Sequence, residues 1–573
     1  MALSSGVRGP ISRTSEAKQS SIPAALAVLW AAFLALLVAG PWLAPGYLFG
    51  TDWPGPRHFD FPTDAVSWAP LQALLAFASR TVGGEVTGKL LVFGALFMAG
   101  ATAFRALPEG GFVPRAAAAT IYVVNPFVYG RLHYGQLFLL AGYAVLPWVA
   151  LRLRRMLIEP GAVSALVAAV GFGLVGILSL HLFLIAAVLA MAMALSFAIT
   201  AKDRFSFLKR TLPSLFLTLV ATIAISAYWV IPVVTGTGRE GTTVAAIGSG
   251  DLRAYAAVSD ERWGLLPNLL GLYGFWAENA GRFASMKTFV PLWPLVLIVI
   301  LAVAAAGAAW AFRQRRGHLG AWVAGLLVAA GIAVILEMGI SSPVTRGLAA
   351  WMDATIPIYR GMRDAGKWAG LLALVYSQLF GLGAAATIGW IRALPRPGAK
   401  IEWLGGVAMS LLLAVPLYYG NGVLFGMHGE IRPSQYPPGW YQADRVMAAD
   451  SHHGRALFLP WHEYMSYTFI QNQNNIVASP APTFFSVPVL VSADPEVPGI
   501  TPPTDRDQLA ISNLVHTGPQ APWAKVLATL GIKYVLVAHE VDWPSYEYLI
   551  NEQGLVKVAD YGSVVLYRNN LAT

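Results

Sequence analysis

Three aspartates and a histidine lie within one short segment, residues 45–66, directly after the first long apolar run. They are Asp52, His58, Asp60 and Asp64. Carboxylates held beside a lipid bilayer are costly unless they bind or react with something. Since only 12% of the residues are charged, these side chains are the first candidates for chemistry. A carboxylate can accept a proton from a hydroxyl group or help to hold a divalent metal ion.

Each of these side chains also has a purely structural interpretation. Asp52 could cap the turn before the Trp-Pro pair that follows it. Asp64 could be the N-cap of a helix that begins just after it, a position that aspartate favours. His58 could orient a carboxylate or be an ordinary loop histidine.

The composition is that of a polytopic membrane protein. The chain has 573 residues, 56% of them hydrophobic, with a mean hydropathy of +0.57. Several apolar runs reach the roughly 20 residues needed to cross a bilayer. The first one resembles a signal peptide, but its length and the lack of a small-residue cleavage site predict a retained span. The eleven runs lie near 23–44, 87–105, 114–129, 135–150, 162–180, 183–200, 211–234, 288–312, 319–337, 368–391 and 403–423.

The net charge of +9 indicates membrane topology rather than a nucleic-acid partner. Arg8, Arg13 and Lys18 precede the first run, and the segments predicted to lie inside hold 18 Lys and Arg against four Asp and Glu. The positive-inside rule then predicts a cytoplasmic N-terminus and an extracytoplasmic C-terminus. We therefore expect a multi-pass plasma-membrane protein whose function faces outward, with long outer loops at 45–86, 235–287 and 338–367.

The third and fourth runs are short and meet at NPFVYGRLHYGQ, residues 125–136. An Asn-Pro pair and two glycines interrupt the helical pattern there. Non-helical backbone at membrane depth persists only when it is buried in protein or lines a wet cavity. We expect Arg131 and His133 to face such a polar cleft, although a capped helix end would use them equally well.

A second basic motif, YRGMRDAGKW at residues 359–368, stands at the mouth of the tenth run. Arg360, Arg363 and Lys367 have the charge to hold a lipid phosphate. The alternative is an interfacial anchor whose cations reach toward water. The loop 235–287 combines Trp263 and Trp276 with several carboxylates, a composition that suits sugar rings and also an aromatic belt.

After Leu424 the composition changes to that of a soluble α/β domain. The sequence predicts three regions: a basic N-terminus (1–22), a transmembrane domain (23–423) and an extracytoplasmic domain (424–573). The domain is expected to contain a helix, then the strand RALFLP, and later a helix, a glycine turn and the strand of LGIKYVLV. His462 and Glu463 follow the first strand, where we favour a structural turn. The sequence has no cysteine, which removes thiolate metal sites and cysteine nucleophiles.

The arrangement resembles the GT-C class of membrane glycosyltransferases. The elements that carry the resemblance are GTDWPGP at residues 50–56, the 125–136 motif and the 359–368 motif. The arrangement also looks like the bacterial YfhO-type group and the N-terminal part of mycobacterial arabinofuranosyltransferases. It covers most of the chain and predicts about eleven transmembrane helices with a C-terminal extracytoplasmic α/β domain.

The resemblance implies an outward-facing active site that uses a polyprenyl-phosphate-linked sugar as donor. An acidic residue of the first outer loop would deprotonate the acceptor, and Asp52 is the closest match to that position. Asp60 is the second candidate, as a base or a metal ligand, and Asp64 is the third. A divalent metal ion (Mg²⁺, Mn²⁺ or Ca²⁺) is compatible with such a site. The acceptor would be a glycan, a lipid or a protein.

Two other functions remain open from the sequence. A lipid-linked glycan flippase would also need many spans and a basic cleft, but it should carry polar groups through the bilayer midplane, whereas here they cluster outside. A non-catalytic assembly factor for surface glycans would tolerate loss of Asp52 and Asp60. An ATP-driven transporter is disfavoured because the sequence has no phosphate-binding G-x-x-x-x-G-K-[ST] motif.

Overall fold

The structure, a computed structural model, describes residues 24–239, 241, 247–248, 250–278, 284–314, 317–393, 400–450, 454–497, 500 and 503–572. The predicted basic N-terminus, residues 1–22 with Arg8, Arg13 and Lys18, lies outside the described residues. The described chain is a helical bundle followed by a domain that contains a β-sheet. This confirms the predicted fold class.

All eleven predicted apolar runs are helical. Eight of the described helices are long and apolar enough to cross a membrane, and a bent pair, Trp403–Tyr419 with Asn421–His428, would be a ninth. The helices of 12 and 17 residues at 112–123 and 162–178 are shorter than a full span. The bundle helices are α1 Ala24–Ala39, α2 Ala69–Val82, α3 Gly84–Ala106, α4 Phe112–Val123, α5 Pro126–Tyr134, α6 Leu137–Ile158, α7 Ala162–Leu178, α8 Leu180–Thr200, α9 Arg204–Thr235, α10 Asp251–Ala254, α11 Leu265–Leu270, α12 Trp293–Arg313, α13 Gly317–Met338, α14 Arg346–Thr355, α15 Pro357–Arg360, α16 Ala369–Ala393 and α17 Lys400–Tyr419.

Helix α16 forms the centre of the bundle and is buried over most of its length. It packs against α4 on one side and α12 on another. Glycines make the contact with α12 possible: a Cβ on Gly383 would lie 2.0 Å from the carbonyl oxygen of Val303, and one on Gly307 would lie 2.3 Å from that of Leu379. The preceding turn of 3-10 helix, Ala365–Trp368, is buried as well, so the basic motif enters the bundle at its core.

The predicted break between the third and fourth runs contains a helix of its own. Helix α5 begins at Pro126, where the side chain of Asn125 accepts a hydrogen bond from the Val128 amide at 3.1 Å. It ends at Gly135, whose φ of +77° is the left-handed conformation that favours glycine. The chain therefore turns twice within 13 residues, and every residue of α5 is buried.

The C-terminal domain is built on a five-stranded sheet with the order β4-β1-β5-β7-β6. Strand β1 is parallel to β4 and β5, with Leu457 opposite Val535, and β7 is antiparallel to β5 and β6. Each face of the sheet carries a hydrophobic core. The elements are α18 Pro438–Ala448, β1 Arg455–Leu459, β2 Tyr464–Ser466, β3 Ile476–Ala478, α19 Ala481–Phe484, β4 Val489–Leu490, α20 Arg506–Thr517, α21 Trp523–Thr529, β5 Ile532–Ala538, β6 Leu555–Asp560 and β7 Val564–Asn569.

Helix α2 presents apolar side chains on two opposite faces. Leu71 and Leu75 are buried, whereas Leu74 and Phe77 are 62% and 63% exposed. An open apolar face of this kind suits a helix that lies in a membrane interface.

Candidate active site

The loop that carries Asp52 is fixed between the helical bundle and the α/β domain. On the bundle side, the Asp52 amide donates a hydrogen bond to the carbonyl oxygen of Tyr134 in α5 at 2.7 Å. On the domain side, the Ala478 amide donates to the carbonyl oxygen of Thr51 at 2.8 Å. Because Thr51 and Asp52 are held from opposite sides, the backbone of Asp52 has little freedom to move.

Glycine on both sides of the contact lets the loop approach α5 closely. A Cβ on Gly50 would lie 2.7 Å from the Cα of Gly135, and a Cβ on Gly135 would lie 2.5 Å from the Cβ of Trp53. Real Cβ atoms essentially never approach backbone so closely, so larger residues would push the loop away. The two glycines belong to the 50–56 and 125–136 motifs, which the sequence singled out for other reasons.

Two side-chain donors hold the carboxylate of Asp52. Gln136 Nε2 donates to Oδ2 at 3.2 Å, and the hydroxyl of Tyr464, from strand β2, donates to Oδ1 at 3.0 Å. Both donors are distant from Asp52 in the chain, so the Asp52 side chain does not cap the turn before the Trp-Pro pair. The side chain of Asp52 is only partly buried.

A buried ion pair continues the network from Gln136. Arg131 Nη1 donates to Gln136 Oε1 at 2.7 Å and to Asp364 Oδ2 at 2.5 Å. Arg131 is 1% exposed and Asp364 is 4% exposed. The Arg131 guanidinium also lies 4.3 Å from the ring centre of Phe275. The guanidinium of Arg131 is thus engaged by protein groups, which makes it a support for Gln136 rather than an open anion site.

Lys367 completes this arrangement. It is 8% exposed, and the charges of Asp364, Arg131, Arg363 and Asp52 all act on its ammonium group. Among the described residues Lys367 forms no ion pair. We call Asp52, Arg131, Gln136, Asp364, Lys367 and Tyr464 the buried cluster.

Arg363 lies beside the buried cluster with part of its side chain open to solvent. Its Nη1 donates to Asp251 Oδ1 at 2.6 Å, and its guanidinium lies 4.7 Å from the ring centre of Tyr255. The side chain of Arg363 is 35% exposed. Lys367, whose charge acts on Asp52, and Arg363, whose charge acts on Lys367, are thus two cations in this part of the protein.

Burial raises the pKa of Asp52, and the hydrogen bonds from Gln136 and Tyr464 oppose that shift. The positive charge of Lys367 acts in the same direction as those hydrogen bonds. Burial also raises the pKa of the Tyr464 phenol well above its usual value, so this group stays protonated and continues to donate to Asp52. Asp52 is thus a stronger base than an exposed aspartate.

Three of the predicted residues, Asp60, Asp64 and Arg360, lie outside the buried cluster; the two aspartates are exposed, and Arg360 is half-buried. We call the three the exposed rim, after its two aspartates. The carboxylate of Asp60 is 74% exposed and lies 3.7 Å from His58 Nε2. Asp64 is 50% exposed, 3.8 Å from Arg239. Helix α2 begins at Ala69, so the alternative of Asp64 as its N-cap is wrong. Arg360 donates through Nε to the carbonyl oxygen of Asp353 at 3.1 Å.

His133 contacts different partners from its neighbour Arg131. Its Nε2 lies 3.2 Å from Glu430 Oε2, and both side chains are at most 4% exposed. The hydroxyl of Tyr129 donates to the same carboxylate at 3.0 Å. His133 therefore ties α5 to the segment that leads into the α/β domain.

The two tryptophans of the loop 235–287 lie in different environments. Trp263 is 47% exposed and stacks near Arg262. Trp276 contacts Tyr134 and Tyr255, with ring centres 5.3 Å and 4.8 Å apart. Only Trp276 borders the buried cluster, through Tyr134.

Three neighbours of Asp52 were not among the predicted site residues. Glu463 was interpreted as part of a turn, and Tyr464 and Tyr255 were not singled out. Glu463 acts electrostatically on both Asp52 and Arg363, and burial raises the pKa of Glu463 to about 7. The signal in the sequence was WHEY directly after the strand RALFLP, since ligand-binding side chains often follow the carboxyl ends of parallel strands.

Among the residues that the structure describes, no three or more His, Asp or Glu side chains are grouped so that they could hold a metal ion. Asp60, predicted as a base or a metal ligand, has His58 beside it, and the carboxylate of Asp52 is held by Gln136 and Tyr464.

The comparisons with known proteins bear on the fold. No family model matches the sequence, and no curated protein matches it. The cryo-EM structure of the arabinofuranosyltransferase AftD from Mycobacteria matches 95% of this chain with a TM-score of 0.59 at 16% identity. A mutant of AftD matches 96% of it, also at 0.59 and at 15% identity. The chain has a GT-C-like fold.

The match covers a smaller share of AftD than of this chain. The chain spans 40% of the length of AftD. The predicted resemblance to GT-C membrane glycosyltransferases is confirmed at the level of the fold, with a multi-pass helical bundle and a sheet-containing C-terminal domain.

Proposed function

We propose that this protein is a membrane glycosyltransferase. It moves a sugar from a polyprenyl-phosphate donor to a glycan, lipid or protein acceptor on the outer face of the plasma membrane. The observation that carries the proposal is the buried cluster, in which a partly exposed carboxylate, held by two donors, is influenced by the charge of Lys367, which forms no ion pair with any residue that the structure describes. The likeness of the fold to an arabinofuranosyltransferase supports the same class of reaction.

In the proposed reaction Asp52 accepts the proton of an acceptor hydroxyl as the hydroxyl oxygen bonds to the anomeric carbon of the donor sugar. The bond between that carbon and the phosphate oxygen breaks, and the polyprenyl phosphate leaves with the electron pair. A base contributes most when its pKa is close to the working pH, and burial moves Asp52 in that direction. Displacement from the side opposite the phosphate inverts the anomeric carbon.

The leaving phosphate gains negative charge as the bond breaks. Lys367 and Arg363 are the cations proposed to stabilise it, because fixed positive charge in a site shielded from water lowers the energy of such a transition state. Arg131 is proposed to act through Gln136, whose amide orients the Asp52 carboxylate. The partial exposure of Arg363 would let a lipid phosphate reach it from the membrane.

The test is a transfer assay with purified protein in lipid nanodiscs. Polyprenyl-phosphate pentoses and hexoses are combined with glycan, lipid and peptide acceptors, and products are followed by mass spectrometry. Wild-type protein should form a product with at least one pair, and Asp52→Asn should not. Equal turnover by both proteins would contradict the assignment of Asp52. A need for Mg²⁺, Mn²⁺ or Ca²⁺ stays a prediction, and EDTA with metal add-back in the same assay tests it.

A further inference from the structure

Aromatic rings line one side of the buried cluster. The rings of Tyr255 and Trp276 meet edge to face with centres 4.8 Å apart, and Trp276 meets Tyr134 at 5.3 Å. The carbonyl oxygen of Tyr134 accepts the hydrogen bond from the Asp52 amide. The Tyr255 hydroxyl group is itself under the electrostatic influence of Asp52 and Glu463. These rings therefore stand next to the proposed base.

The α/β domain supplies a carboxylate at the same place. Glu463 is partly exposed and adjoins Tyr464, whose hydroxyl binds Asp52 at 3.0 Å. Among the residues that the structure describes, the Glu463 carboxylate has no hydrogen-bond or ion-pair partner, although the charges of Asp52, Asp494 and Arg363 act on it. Burial raises the pKa of Glu463 to about 7, and the negative charges of Asp52 and Asp494 act in the same direction. Such a group is available to hydrogen-bond with a ligand.

The backbone around Glu463 is held firmly. The Ser479 amide donates to the carbonyl oxygen of Glu463 at 3.0 Å. The preceding residue, His462, contacts Glu496 through Nδ1 at 2.9 Å and lies 3.4 Å from Asp542 through Nε2. Glu463 is thus presented by a fixed segment, as a specificity-determining group requires.

We propose that Glu463, Tyr255 and Trp276 form the acceptor subsite, and that this subsite takes a saccharide. Aromatic faces bind the apolar C–H face of a sugar ring, and a carboxylate accepts hydrogen bonds from its hydroxyl groups. The sugar would lie with one hydroxyl at Asp52 and a neighbouring hydroxyl at Glu463. This inference rests on the proposed function and names the acceptor class and the residues that select it.

A peptide or a lipid headgroup would bind less well to the acceptor subsite. A peptide presents a single hydroxyl or amide to the base and has no flat C–H face to cover Trp276. An anionic lipid headgroup would be repelled by the carboxylates of Asp52 and Glu463. The α/β domain would therefore select the acceptor, whereas the bundle would hold the donor phosphate through Lys367.

The test measures acceptor KM and kcat separately with the saccharide acceptor that the wild type uses. Glu463→Gln and Trp276→Leu should each raise the acceptor KM by about tenfold or more, because each removes an interaction with the sugar of about 1.5 kcal/mol. The KM of the donor should not change. Glu547→Gln, an exposed glutamate of the same domain, and Trp351→Leu, an exposed tryptophan of α14, are the matched controls and should leave both values unchanged.

Equilibrium dialysis with radiolabelled short oligosaccharides in the absence of donor separates the two proposals. Binding by wild type that is weakened in Glu463→Gln and Trp276→Leu supports the subsite, even if no donor of the panel is used. Transfer by wild type with unaltered acceptor KM in both variants overturns the subsite and leaves the proposed function standing. Preferred transfer to peptide or lipid acceptors also overturns it.

Discussion

The buried cluster and the exposed rim each hold an aspartate of the segment 45–66 and a basic side chain of the 359–368 motif. Asp52 and Asp60 are eight positions apart in one loop, and Arg360 and Lys367 are seven apart in another. Yet Asp52 receives hydrogen bonds from α5 and from the α/β domain, while the Asp60 carboxylate is 74% exposed. A charged side chain in water has little effect on chemistry, because solvent screens it.

The difference comes from what covers each half of the loop. Residues 47–58 contact the α/β domain: Tyr47 exchanges backbone hydrogen bonds with Ser434, and Arg57 pairs with Asp444 at 2.6 Å. The backbone of Asp60 still contacts α2, since Gln72 Nε2 donates to its carbonyl oxygen at 3.1 Å, but its carboxylate points into solvent. Of the three aspartates in this loop, Asp52 is thus the one whose side chain receives hydrogen bonds from both the bundle and the domain.

The largest difference between the buried cluster and the exposed rim is expected when one carboxylate of each is neutralised. Asp52→Asn should lower kcat by about 10²–10⁴-fold, the usual contribution of a general base. Asp60→Asn should stay within about twofold of wild type, since the carboxylate is solvated. Transfer rates at saturating donor and acceptor measure both. Comparable losses in the two variants would mean that burial does not separate the groups.

A second comparison concerns stability. Asp364→Ala leaves the buried Arg131 without its counter-ion, which costs about 3–5 kcal/mol. The partly exposed pair of Arg455 and Asp507, at 2.8 Å, provides the control: Asp507→Ala should cost less than about 1 kcal/mol. Thermal unfolding of nanodisc-embedded protein, followed by tryptophan fluorescence, measures the two shifts. Equal shifts would count against a buried, structural role of the Arg131–Asp364 pair.

Loss of a cation should lower kcat more in the buried cluster than in the exposed rim, as loss of a carboxylate does. Lys367→Met should lower kcat by about 10²-fold, as expected for loss of one fixed group that stabilises developing charge. Arg360→Met should change it by less than about threefold, because Arg360 Nε is already bound to the Asp353 carbonyl oxygen. Single-turnover rates with bound donor isolate this step. A larger loss in Arg360→Met would move the phosphate site to the rim.

The smallest expected effect is a shift in the pH profile. Burial raises the pKa of Asp52, so the ionised base is lost as pH falls through that raised value, above the usual value of about 3.9 for aspartate. Activity should therefore rise with pH along a limb whose midpoint lies above that value. Tyr464→Phe removes a bond that favours the ionised form and should move the midpoint further upward, while Asp60→Asn should not move it. A downward shift in Tyr464→Phe would contradict the assignment of this limb to Asp52.

The sequence predicted the helices well because their signals are local. Each of the eleven apolar runs is a helix, since a run of apolar side chains stays helical in lipid whatever its neighbours are. The Asn-Pro pair and Gly135 indicated the breaks around α5 for the same local reason. The number of full spans was less well determined, because α4 and α7 are shorter than the bilayer and their length alone does not say how they sit in it.

By itself, the sequence determined the fold class and a short set of charged candidates. It could not decide among them, because their partners are distant in the chain: Tyr464 lies 412 residues from Asp52, and Asp364 lies 233 from Arg131. Only the tertiary structure placed Arg131 with Asp364 and Gln136, turned His133 toward Glu430, and left Asp60 in solvent. The physical reason is that the environment of a carboxylate depends on which elements enclose it, and packing between distant elements decides that.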